Sequence, residues 1–143
     1  MCLSAAVVVL GIAQVKPAPQ TESLIDKVVR LTNVERQRAG VRPLNNNSLL
    51  ETMAEHQSTD MALLRKMSHM DRQGRDLVQR AELYRYPWMA LGENVAQGQR
   101  TPEEVVGDWM KSKGHRANIL NPDFKEIGVA KTGSYWAQVF GSR

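Results

Sequence analysis

The sequence has one cysteine, three histidines and two phenylalanines in 143 residues. With Cys2 alone, no disulfide can close within the chain, so stability has to come from a packed core. Cysteine ligands for a structural metal are absent for the same reason. The longest apolar run falls short of the ~20 residues a membrane helix needs, so no integral span is expected in the mature chain. Charge of one sign is also scarce. Nineteen Lys and Arg stand against fifteen Asp and Glu, a formal +4, with acids interleaved among the bases. No basic stripe with stacking aromatics emerges, which argues against a nucleic-acid partner. The H-E-x-x-H, G-x-S-x-G, P-loop and dinucleotide glycine patterns are missing, and there are no internal repeats.

What is present describes one ordinary globular domain. Apolar residues make up 42% and charged residues 24%, and the length suits a single core, expected as a monomer. From Leu3 to Val15 only Ser4 and Gln14 interrupt a run of apolar residues and glycine. That run fits the h-region of a secretory signal, with Lys16-Pro-Ala-Pro-Gln20 as an unstructured exit. A basic n-region is lacking, and a buried N-terminal strand is the alternative. Cys2 precedes the apolar run, which argues against lipidation. Residues 1–20 are therefore read as a signal-like segment and linker, 21–143 as the domain, and the protein as secreted, extracellular or in the cell envelope.

Thr21 to Ala39 carries Leu24, Val28, Leu31 and Val34 at three- and four-residue steps, one stripe of a helix that Gly40 stops. Asn45 to Ser48 offers N-caps for a second helix to about Lys66, and a short helix is expected around Asp76 to Leu83. Thr101-Pro-Glu-Glu104 is a strong helix start, with Trp109 on the buried stripe and an end near Gly114. Glu126–Lys131 and Tyr135–Phe140 read as strands about a Thr132-Gly133-Ser134 turn, and Asn94 to Gly98 as a short added strand. Helices first and strands last predict an α+β fold, a small antiparallel sheet covered by helices.

His56 lies within the second helix, His69 follows it, and His115 sits in Ser112-Lys-Gly-His-Arg-Ala-Asn118. Taken singly, each reads as a surface or hydrogen-bonded structural histidine. Glu93, in Gly92-Glu-Asn-Val-Ala96, is the most suggestive acid, because small and apolar neighbours should strip water from it. It either works in a site or pins a loop by bonding backbone amides.

Several separated segments carry a resemblance. Leu31–Arg36 with Ala39–Leu44, His56–Met61, Ser68-His69, Gly92–Ala96, Trp109–Asn121, Ile127–Val129 and Trp136–Phe140 together resemble the CAP superfamily (cysteine-rich secretory proteins, antigen 5, pathogenesis-related), or SCP domain, in its bacterial branch. The resemblance implies an α-β-α sandwich, secretion, and a central cleft of two histidines and two acids. His69 matches the first histidine and Glu93 the first glutamate. Ser112 stands at the second glutamate and Tyr135 at the second histidine, while His115 resembles the bacterial branch's own histidine.

Two functions follow. The first is a non-enzymatic extracellular binding module for a small apolar, lipid or cell-wall ligand, with His69, Glu93, His115, Tyr135 and Ser112 around the cleft. The second is a metal-assisted hydrolase or peptidase on His69, Glu93 and His115, with His69 and His115 as weak Zn²⁺ ligands.

Overall fold

The computed structural model describes residues 20–143, so apart from Gln20 the signal-like segment lies outside the described residues. Helix α1 spans Leu24–Arg38, and the Ser23 side chain caps it by accepting from the Asp26 amide. Strand β1 is Asn45–Asn46, and α2 covers Ser48–Leu64, where Asn47 accepts from the amides of Leu49 and Leu50. Helix α3, Leu77–Leu83, begins with a reciprocal Asp76–Gln79 capping box. Then come β2 (Ala90–Gln97), α4 (Pro102–Lys111), α5 (Lys113–Leu120), β3 (Glu126–Thr132) and β4 (Tyr135–Ser142).

Three details differ from the sequence pattern. The helix expected to reach Gly114 ends at Lys111, because Ser112 takes extended backbone (ψ 125°) and breaks the ladder before α5. Helix α5 buries only Ile119, so it shows no stripe in the sequence. The short strand expected at Asn94 is the eight-residue β2. Its pairing with β4 from Ala90↔Ser142 to Gln97↔Tyr135 outweighs the weak strand preference of Gly92, Glu93 and Asn94. The sheet order is β1-β3-β4-β2. The three long strands are antiparallel, as expected, and the two-residue β1 adds a parallel edge to β3. The hairpin narrows to Gly133-Ser134, with Gly133 at φ 56°.

Strand alternation divides the core in two. One face carries Ala96, Ile127, Val129, Trp136 and Phe140 against Val28 and Val29 of α1, Val105, Val106 and Trp109 of α4, and Ile119 of α5. The other carries Val95, Ala130, Tyr135, Ala137 and Val139 against Leu50, Met53, Ala54 and Met61 of α2 and Ala81 of α3. The result is an α-β-α sandwich, with α2 lying so close to β3 that only a glycine fits at Gly128. No helix among the described residues is long and apolar enough to cross a membrane.

Candidate binding cleft at the edge of the sheet

β2 is an edge strand, and alternation turns Glu93 toward α2 and α3 while Gly92 and Asn94 face α5. Glu93 is buried, its side chain 2% exposed. Arg80, on α3 and wholly buried, meets it at two points: Nη1 donates to Oε2 at 2.7 Å and Nη2 to Oε1 at 3.1 Å. Opposite the guanidinium, His69 Nδ1 lies 2.9 Å from Glu93 Oε1. The loop between α2 and α3 that carries His69 is itself held from below. Arg80 Nη2 donates to the His69 carbonyl at 3.0 Å, and Gln57 Nε2 donates to the carbonyls of Ser68 and Met70.

The His69 ring is 59% exposed although its partner is not. Its hydrogen bond to Glu93 raises its pKa above the ordinary 6.5, against the opposing pull of burial and the Arg80 charge. His69 and Glu93 line a cavity of about 300 Å³ with Met70, Asp76, Leu77 and Val78. Three of those walls are apolar, so the cavity pairs one imidazole with a greasy surface.

His115 approaches from the other side of the β2 edge. Its carbonyl accepts from Asn94 Nδ2 at 3.1 Å, and Asn118 of the same helix donates to the Glu93 carbonyl and to Asn94 Oδ1. Burial lowers the His115 pKa, and the His69 charge lowers it further. His115, Ser112 and Tyr135 do not line the cavity with His69. Ser112 is the break between α4 and α5. Tyr135 is buried in the α2-side core, paired with Gln97, four residues along β2 from Glu93.

Glu93 does pin a loop, but through Arg80 and the His69 side chain, with no bond to backbone amides. Arg80 was not legible as a site residue, since a lone arginine on a short helix looks like any solvated charge. Sequence reading also passed over Asp60 and Asp71, which converge on His56; the i,i+4 spacing of His56 and Asp60 was the available signal.

The zinc reading of His69 and His115 can be tested on this donor set. Among the described residues, His69, Glu93 and His115 do not bring three ligand atoms within 4.8 Å of one another, and both Glu93 oxygens already accept from Arg80. Ser112 supplies no carboxylate, and Tyr135 no imidazole. These residues do not fit a zinc ion.

Residues 29–140 match the model of CAP, the cysteine-rich secretory protein family. The chain belongs to the CAP family. This CAP domain is 42% identical over 126 residues to the Bacillus subtilis protein YkwD, covering 86% of the chain and 49% of YkwD. Its fold superimposes on an extracellular protein with an SCP domain from Bacillus anthracis at a TM-score of 0.80, with 26% identity, covering 83% of the chain and 40% of that protein. An outer surface protein of Borrelia burgdorferi shares the fold at a TM-score of 0.74 and 22% identity, covering 81% of the chain and 90% of that protein. The CAP domain thus spans about half the length of YkwD and less of the B. anthracis protein.

Proposed function

We propose that this CAP domain, residues 21–143, is an exported, non-enzymatic binding module whose ligand site is the cleft at the β2 edge. The observation that carries the reading is the pairing of the exposed His69 imidazole with an apolar cavity wall of Met70, Leu77 and Val78. Glu93 holds the ring in place from beneath, and Arg80 balances the Glu93 charge. Such a site offers one cationic hydrogen-bond donor beside greasy walls. That chemistry suits a small amphiphile with an acidic head, from a lipid or a cell-wall fragment. His115 flanks the β2 edge on the α5 side, outside the lining of this cavity.

Two features favour binding over hydrolysis. Both Glu93 oxygens are engaged, so Glu93 is not a free base, and Asp76, the other carboxylate lining the cavity, caps α3 through Oδ1. Ser68 Oγ accepts from the Met70 amide at 2.9 Å and is not bonded to His69, so no nucleophile–base pair forms. Export is supported by the apolar run from Leu3 to Val15, and by the extracellular and outer-surface proteins that share the fold.

Titration with a fluorescent long-chain fatty acid, and separately with soluble peptidoglycan fragments, tests the reading. One of the two should bind saturably, and His69→Ala should weaken it about tenfold or more, the loss of a charge-assisted hydrogen bond. Equal binding by wild type and His69→Ala overturns the site. Cleavage of casein or peptidoglycan by wild type that His69→Ala abolishes overturns the non-enzymatic assignment.

A further inference from the structure

On the far side of the His69 loop, a second polar cluster lies where α2 faces the segment before α3. His56 Nε2 sits 3.1 Å from Asp71 Oδ2 and 3.4 Å from Asp60 Oδ2. All three ligand atoms fall within 4.8 Å of one another. Both carboxylates are buried, with side chains 7% and 0% exposed, whereas the imidazole is 14% exposed. A cavity of about 330 Å³ opens on His56 and Asp60, lined also by Glu55, Arg72, Arg75 and Tyr84.

We propose that His56, Asp60 and Asp71 form a site for a divalent transition-metal ion of the Zn²⁺ class, separate from the cleft at His69. Ligand atoms ~2.0–2.1 Å from a tetrahedral ion stand ~3.3–3.4 Å apart, and the two distances from Nε2 bracket that spacing closely. One imidazole and two carboxylates suit zinc, cobalt or manganese better than the all-oxygen shells of calcium and magnesium. The Tyr84 hydroxyl lies 2.7 Å from His56 Nδ1. With the ring proton on Nδ1 and donated to that hydroxyl, Nε2 keeps its lone pair toward the carboxylates, which is the usual outer arrangement of a ligating histidine. The cavity gives solvent a path to His56 and Asp60.

The arginines bear on the site unequally. Arg72 Nε bonds Asp60 Oδ1, the oxygen turned away from His56, while the Arg72 backbone amide donates to Asp60 Oδ2 at 2.8 Å and leaves that oxygen one lone pair for an ion. Arg75 Nε bonds Asp71 Oδ2 at 2.7 Å, the same oxygen a metal would take. Arg75 is therefore a competitor for the ion, and its side chain is exposed enough (31%) to withdraw into solvent. Asp71 also accepts from the amides of Gln73 and Arg75, so a bound ion would tie the loop carrying His69 to α2.

The experiment is calorimetric titration of Zn²⁺ into chelator-stripped protein, with the visible absorption of Co²⁺ reporting coordination. Wild type should take up one ion with the intense bands of a four-coordinate site. His56→Gln should abolish them, and Tyr84→Phe should weaken binding about 10–100-fold. Arg75→Gln should tighten it, a result that does not depend on any weakened variant folding well. His69→Ala should leave binding intact. No saturable binding to wild type overturns the proposal and leaves a purely structural hydrogen-bonded histidine. Loss of binding in His69→Ala with retention in His56→Gln moves the ion to the other site and overturns it equally. Weaker binding in Arg75→Gln overturns the competition.

Discussion

Arg80 and Glu93 meet end to end in the interior, two nitrogens on two oxygens, with neither side chain more than 2% exposed. Each charge is balanced by the other, and the Glu93 carboxylate also meets His69. Removing one partner strands a buried charge, which costs ~3–5 kcal/mol. Arg80→Met and Glu93→Leu should each lose about that much in urea unfolding. The double variant should lose clearly less than the sum of the two. Additive losses would show that the two residues do not act as a pair.

His69 should titrate above 6.5 and His115 below it, since Glu93 holds a proton on the first while burial and the His69 charge oppose one on the second. A histidine whose folded pKa is raised stabilises the fold fully below its unfolded pKa. That contribution fades as pH rises through the raised value. Stability attributable to the His69–Glu93 bond should therefore decline from about pH 6.5 upward. Proton-detected histidine titration of chelator-treated protein checks both directions. Glu93→Gln should bring His69 back down, and an unmoved His69 pKa would remove Glu93 as the cause.

Gly128 and Gly107 make a matched pair. A Cβ on Gly128 would stand 2.1 Å from the backbone of Leu50 and Glu51, which cannot give way without lifting α2 off β3. Nothing lies within 4 Å of the corresponding atom on Gly107, inside α4. Gly128→Ala should cost about 1–3 kcal/mol or more. Gly107→Ala should gain roughly 0.5–1 kcal/mol from helix propensity. Similar thermal midpoints for the two variants would contradict the close approach.

Trp109 is 1% exposed beside Val105 and Val106, and its Nε1 donates to the Val95 carbonyl at 3.2 Å. Trp109→Ala should cost ~3–5 kcal/mol in denaturant titration. A loss below about 1 kcal/mol would place the ring outside the core.

Local chemistry announced much of this fold. Asn47, Asp76 and Thr101 cap their helices as their side chains allow, and the α4 stripe is buried where its period places it, whereas α1 buries Val28, Val29, Thr32 and Arg36 and leaves Leu24 exposed. The family resemblance implied one cleft for His69 and Glu93, and His69 Nδ1 stands 2.9 Å from Glu93 Oε1. The caps are carried by a few adjacent residues, so the sequence by itself was enough to determine them.

Tertiary structure alone decided which charges meet. Arg80 bonds Glu93 across thirteen positions, and His56 finds Asp71 only where a loop folds back on α2. No local period encodes such pairs, since each depends on two elements docking at one angle. The same holds for β2, whose Gly-Glu-Asn stretch becomes strand because β4 offers it eight pairings. It holds for Tyr135 as well, which lies in the core because strand alternation turns it toward α2. Packing chose those outcomes, and burial made them binding: once a charge or backbone group leaves water, it must find its partner wherever the fold supplies one.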